Sequence, residues 1–208
     1  KFNSKADSLN MHNEMKHFNV DISSWDVSSV VNFDALFKGF SSFNQDLSQW
    51  NLQSALSTKM MFEDAKSFNS DLTYWDVSNV VHMDKMFKGA EKFNGNISDW
   101  DVSNVNSMKS MFNDASNFNI DISNWNVNNI INNSNFFANA KSFNQDLSQW
   151  CFSKSCVSSD FFAQGSGLSI NYYPSWGGCN MQSTKEYAIC LLNFSNGVAI
   201  SGYDKNGF

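Results

Sequence analysis

Apolar residues recur along this chain with a fixed period of 25 residues. A phenylalanine followed by asparagine opens each period, and a tryptophan follows seven residues later. The phenylalanines are Phe18, Phe43, Phe68, Phe93, Phe118 and Phe143, and the tryptophans are Trp25, Trp50, Trp75, Trp100, Trp125 and Trp150. The unbroken period predicts a solenoid, in which each repeat buries its apolar side chains by stacking on its neighbours.

Two spacings of apolar residues within one repeat predict two kinds of element. Trp75 and Val77 are two residues apart, which is typical of a short strand whose alternate side chains share one side. The apolar residues from Met83 to Ala90 follow at steps of three and four, which predicts a short helical segment with one inward stripe. The predicted fold class is an α/β repeat solenoid, with parallel strands on its concave side and helical segments on its convex side.

The run from Leu72 to Asn94 carries a pattern that resembles a known family. Written as Leu-x-x-Trp-x-Val-x-x-Val-x-x-Met-x-x-Met-Phe-x-x-Ala-x-x-Phe-Asn, it is similar to the BspA-like leucine-rich repeat in its bacterial surface protein form, which has about 25 to 26 residues per repeat. The resemblance covers residues 18–179. It implies a right-handed, leucine-rich-repeat-like horseshoe, a secreted or surface-anchored protein with a role in adhesion, and no catalytic residues.

The repeats divide the chain into three predicted parts. Residues 1–17 are too polar for a complete repeat and are predicted to form an amino-terminal cap. Residues 18–150 are the repeat region, and residues 151–208 are a carboxy-terminal cap and tail, where glycines and Pro174 interrupt the pattern.

The cysteines all lie in the last part of the chain: Cys151, Cys156, Cys179 and Cys190. Their even number and clustering predict disulfides and an oxidising, extracellular or cell-surface location. The segments around Cys151 and Cys179 are similar to the closing motifs of the BspA-like family, and that resemblance implies a disulfide between them. A second bridge between the other two cysteines is left open.

The polar residues around each tryptophan predict a binding surface on the concave side. The candidate residues are Asp26, Asn51, Tyr74, Asp76, Asp99, Asp101 and Asn126. Six strands about 4.8 Å apart would give a surface roughly 24 Å long. Its carboxylates and amides, with one aromatic ring, suit a glycan, a matrix component or a basic peptide, so we expect an adhesion module. A surface that is merely solvated is the other interpretation.

Two further polar rows are interpreted as structural. The asparagines Asn19, Asn44, Asn69, Asn94, Asn119 and Asn144 are predicted to form a ladder between repeats, because amide side chains satisfy backbone groups at turns. The aspartates two residues later suggest calcium, but the Gly-Gly-x-Gly-x-Asp turns of calcium-binding repeats do not occur in the sequence. Turn capping is therefore preferred, and no metal or cofactor is predicted.

Charge and motifs narrow the function classes. The formal charge is −6 and all 14 basic residues are lysine, so the planar guanidinium that reads phosphates and guanine is missing and nucleic acid is not an expected partner. The sequence contains no apolar run of about 18 residues, so no membrane span is predicted within it. It contains no recognisable catalytic motif, so an enzyme is not expected. The alternative to adhesion is a structural subunit that stacks end to end in a surface layer or filament.

Three sequons, at Asn96, Asn132 and Asn193, are candidate glycosylation sites. For a eukaryotic source the sequence predicts greater occupancy at Asn132 than at Asn96, and for a bacterial source none.

Overall fold

The computed structural model of the protein describes residues 16–152 and 161–176. Its strands are β1, Cys151–Phe152, and β2, Ser175–Trp176, which pair in parallel. A 3₁₀-helix, Ile170–Tyr172, lies between them in the sequence. Cys151 is opposite Ser175 in the pair, and Phe152 is opposite Trp176. These short elements follow the last repeat.

The predicted α/β solenoid is wrong. The part of the chain that the structure describes contains no α-helix. Residues 75–77 do not form a strand either, since Val77 opens a tight turn that the Val80 backbone N–H closes at 2.9 Å. The right-handed horseshoe, with strands on a concave side and helices on a convex side, is overturned with these elements. The strand-like contacts between repeats are single parallel bridges, which join in succession Asn32, Ser57, His82, Ser107 and Asn132.

Left-handed residues explain why the predicted helical segment does not form. The Met86 N–H bonds to the Met83 oxygen at 3.2 Å, and Lys85, the third residue of that turn, has a φ of 57°. Positive φ at the third position is typical of a type II turn, whereas an α-helix needs negative φ throughout. The position of Lys85 has a positive φ in five successive repeats, at Ala35, Met60, Lys85, Ser110 and Asn135. So does the position four residues later, at Gly39, Asp64, Gly89, Asp114 and Asn139.

The backbone groups between these turns bond to the next repeat. The N–H groups of Lys85, Phe87 and Gly89 donate to oxygens 24 residues later, at 2.8, 3.0 and 2.8 Å. A helix would have used the same groups within its own segment. Apolar residues recur every three or four positions because each successive turn returns a side chain to the interior. The chain is thus a stack of turn-built repeats.

Aromatic rings fill the interior of the stack. Phe87 lies 5.6 Å from Phe62 and 5.7 Å from Phe112, with near-parallel planes, and Trp100 lies 6.2 Å from Trp75. These rings are almost completely buried, so removing their area from water is the main stabilising contribution. Because each ring needs neighbours on both sides, single repeats are stable only within the stack.

Aromatic packing continues beyond the last repeat. After the last repeat, Phe162 packs on Phe152 and Phe136, at 5.9 and 5.6 Å between ring centroids. Cys151 is disulfide-bonded. Its partner lies outside the described residues, so the pairing with Cys179 and a second bridge stay predictions. Most of the predicted amino-terminal cap, residues 1–15, also lies outside them.

Candidate binding surface

The candidate residues that follow each tryptophan share one local geometry. The Oδ1 atoms of Asp26, Asp76 and Asp101 accept a hydrogen bond from the backbone N–H two residues later, at 3.0, 3.1 and 3.0 Å. Asn51 and Asn126 make the same contact at 2.9 and 3.3 Å. This side-chain turn fixes the first torsions of each residue and commits one oxygen. We call these five exposed residues the Asx row.

Hydrogen bonds keep carboxylates of the Asx row ionised. The Ser28 hydroxyl, and then its backbone N–H, lower the pKa of Asp26, and Ser103 lowers the pKa of Asp101 in the same order. A carboxylate that accepts such bonds is stabilised in its charged form. The row therefore presents fixed negative charges at Asp26 and Asp101 and neutral amides at Asn51 and Asn126.

Three candidate residues line one groove. Asn51, Tyr74 and Asp76 line this open groove together with Ser48, Gln49 and Trp50, and its volume is about 350 Å³. The Tyr74 side chain is 79% exposed. At the same position the other repeats carry the short or polar residues Ser24, Gln49, Asp99, Asn124 and Gln149. Asp26, Asp99, Asp101 and Asn126 are exposed but do not line this groove.

The asparagine row forms a hydrogen-bond ladder along the stack. The Oδ1 of Asn44 accepts from the backbone N–H of Asn69 at 2.8 Å, and the Oδ1 of Asn69 accepts from that of Asn94 at 2.7 Å. The contact recurs from Asn19 up to Asn144, whose Oδ1 accepts from Ser169 at 2.9 Å. These side chains are committed to joining repeats.

The aspartates that lie two residues after the asparagines of the ladder, which we call the third row, also close turns. Asp21, Asp46 and Asp146 each accept from the backbone N–H two residues later at 2.9 Å, and the pKa of each is lowered mainly by that bond. No grouping of three or more metal-ligating side chains occurs within residues 16–152 and 161–176. Hydrogen bonds to the local backbone therefore explain why the positions of this row are polar.

The sequons at Asn96 and Asn132 are half-buried, and both side chains are engaged. Asn96 Oδ1 accepts from the Ser98 N–H at 3.1 Å, and Asn132 Oδ1 accepts from the Ser134 hydroxyl at 2.9 Å. Asn193 lies outside the described residues. The order of occupancy stays a prediction.

The sequence analysis did not identify an ionic cluster around one buried carboxylate. Glu63 is only 4% exposed, and its carboxylate lies 2.7 Å from the Lys38 ammonium and 3.5 Å from that of Lys88. The three residues occupy the same position in consecutive repeats. The alternation of lysine, glutamate and lysine at a 25-residue spacing is the signal that indicates a charge ladder.

Comparison with known proteins gives one result. A family model described as "Mycoplasma protein of unknown function, DUF285" matches residues 4–80 and 71–176. No curated protein and no solved structure matches the chain. Within the described residues there is no helix long and apolar enough to cross a membrane.

Proposed function

The chain belongs to the DUF285 family, described as Mycoplasma proteins of unknown function, and from its surface chemistry we propose that it is a non-enzymatic binding module of the secreted or cell-surface type. The Asx row and the neighbouring Tyr74 and Asp99 are the proposed contact surface. The ligand is a glycan, a matrix component or another protein. The sequence resemblance to BspA-like surface repeats supports the assignment to adhesion.

One observation carries the proposal. Asp26, Asp76 and Asp101 are each held by a backbone contact within their own repeat, and each leaves its second oxygen for a partner. Groups that are fixed before binding lose little conformational freedom on contact, so many weak polar contacts add up. Bridged repeats lie about 4.8 Å apart, so the row offers groups at a regular spacing.

The location rests on the carboxy-terminal cap. Cys151 is disulfide-bonded, and disulfide bonds form and persist mainly in oxidising compartments. This disulfide supports our proposal that the protein is secreted or on the cell surface.

A pair of aspartate-to-asparagine substitutions tests the proposal. Asp76→Asn with Asp101→Asn removes two charges but keeps the Oδ1 that closes each turn, as Asn51 and Asn126 do in this chain. The matched control is Asp71→Asn with Asp121→Asn in the third row, where Asn96 already closes the same turn. Both double variants lose two negative charges, so a difference in their binding shows that the location of the lost charges matters.

The measurement is retention on immobilised mucin, collagen and fibronectin. We expect the Asp76/Asp101 variant to bind about tenfold more weakly than the control variant to whichever component retains the parent protein. Equal binding by the two variants would exclude the Asx row as the contact surface. Failure of the parent protein to bind any of the three components would contradict the adhesion proposal.

A structural subunit is the second candidate, and the exposure of one tryptophan of the row favours it. Trp25 is 57% exposed, whereas the other five tryptophans of the row are 2–4% exposed because a preceding repeat covers them. A second copy seated on Trp25 would extend the stack. Light scattering across concentration tests this, and a protein that stays monomeric at millimolar concentration would contradict it.

A further inference from the structure

The groove at Tyr74 carries an inference that rests on the proposed function and narrows its ligand. We propose that the groove is a subsite for one pyranose ring, with Tyr74 as the stacking platform. The ligand class is a neutral saccharide. The observations that carry this are the exposure of the ring, the chemistry of the lining and the size of the groove.

Tyr74 has no structural reason to be aromatic. The ring is 79% exposed, and the equivalent positions in neighbouring repeats hold Gln49 and Asp99 without any change in the stack. An exposed aromatic face gains most when a flat apolar surface covers it, and the C–H face of a pyranose is such a surface.

The lining of the groove suits hydroxyl groups. Asn51 commits its Oδ1 to the Gln53 N–H, which leaves its amide NH₂ to donate to a ligand oxygen. Asp76 commits Oδ1 to the backbone N–H and hydroxyl of Ser78, which leaves Oδ2 to accept from a ligand hydroxyl. Ser48 and Gln49 add two more neutral polar groups. The groove therefore offers both donors and acceptors beside the Tyr74 ring.

The balance of charge favours a saccharide over a basic peptide. Asp76 is the one carboxylate among the six residues that line the groove, and the other polar residues there are neutral. A cationic peptide would gain little more here than elsewhere on the Asx row. The groove volume of about 350 Å³ is at the small end of ligand pockets, which is appropriate to one sugar ring.

Saturation-transfer NMR tests the inference with a panel of methyl glycosides of glucose, galactose, mannose and N-acetylglucosamine. We expect transfer to the ring C–H protons of at least one glycoside, and about tenfold weaker binding by Tyr74→Ala than by the parent. Tyr74→Phe keeps the platform and is expected to bind within about threefold of the parent. Gln149→Ala, at the same position three repeats away, is the matched control and should bind like the parent.

Salt and a peptide probe separate the ligand classes. Sugar binding should be unchanged at high salt, whereas a basic peptide such as tetralysine should bind less because salt screens charge. Absence of transfer to all four glycosides, or equal binding by Tyr74→Ala and the parent, would overturn the inference. Tetralysine binding that Tyr74→Ala abolishes would assign the groove to a basic peptide and overturn it too. None of these results alters the retention comparison of the Asp76/Asp101 variant, so the proposed function is judged separately.

Discussion

The indole Nε1 of Trp100 donates a hydrogen bond of 3.0 Å to the backbone oxygen of Leu72, 28 residues earlier. Trp75 makes the same bond to Leu47 at 2.8 Å and Trp125 to Ile97 at 3.1 Å. Each tryptophan therefore fills the interior and satisfies a backbone oxygen of the preceding repeat. This contact ties the packing of the stack to its hydrogen bonding.

The first prediction concerns this bond. Trp100→Ala should lower the free energy of unfolding by about 3–5 kcal/mol, because it leaves a cavity between repeats. Trp100→Phe should cost about 1–3 kcal/mol, since it loses part of the indole volume and one of the two hydrogen bonds that the Leu72 oxygen accepts, the other coming from the Trp75 backbone N–H at 3.1 Å. Trp25→Ala is the control, and its exposed ring should contribute less than about 1 kcal/mol. Urea unfolding measures all three, and equal losses at both tryptophans would contradict the account.

The left-handed turn at Gly89 gives the second prediction. Gly89→Asn should leave stability within about 0.5 kcal/mol of the parent, because asparagine tolerates a left-handed φ. A Cβ added at Gly89 would lie too close to Asp64 Oδ1, so that flexible carboxylate must turn aside, as at the equivalent pair where the Asn139 Nδ2 donates to Asp114 Oδ1 at 2.8 Å. Gly89→Val has no such bond and a branched side chain, so it should cost about 2 kcal/mol or more. Thermal and urea unfolding of both variants check the order, and a more stable valine variant would contradict it.

The buried carboxylate of Glu63 gives the third prediction. Glu63→Ala should lower stability by about 1–3 kcal/mol, because it removes a buried side chain and leaves Lys38 and Lys88, in the preceding and following repeats, without their shared partner. Glu91→Ala removes an exposed pair, in which Lys66 lies 2.7 Å away, and should cost less than about 1 kcal/mol. The two free energies of unfolding are compared at low and high salt. Equal costs at both sites would show that burial of Glu63 is irrelevant.

Acid sensitivity is the fourth prediction. The pKa values of Asp21, Asp26, Asp46, Asp101 and Asp146 are lowered in the folded state from the ordinary value of 3.8. A carboxyl group with a lowered folded pKa stabilises the protein above its unfolded pKa, and this contribution is lost as pH falls through the folded value. The urea midpoint should therefore be constant from about pH 7 to 5 and fall below about pH 4. A midpoint that rises on acidification would contradict the hydrogen-bonded carboxylates.

The sequence shows the repeat but not its local conformation. The period of 25 residues is visible in Phe68 and Phe93, and the backbone hydrogen bonds between repeats join residues 24 to 27 apart. The steps of three and four after Met83 are typical of a helix, yet successive turns place side chains inward with the same spacing. Left-handed φ at Lys85 could not be predicted, because lysine rarely adopts it and tertiary contacts impose it here.

Only part of the candidate surface could likewise be predicted from the sequence. The polar positions after each tryptophan could be identified from their register. The groove could not, because it needs Gln49 and Asn51 from one repeat and Tyr74 from the next. The ionic contact between Glu63 and Lys38 depends on stacking in the same way.

The most direct test of the account is a hydrogen-exchange footprint of the protein bound to the immobilised component that retains it. The account predicts added protection at the backbone amides of Tyr74, Ser78 and Ser103, and none at those of Lys59 and Lys109, which belong to a different segment of each repeat. Protection at Lys59 and Lys109, with none at Tyr74 and Ser78, would contradict binding through the Asx row.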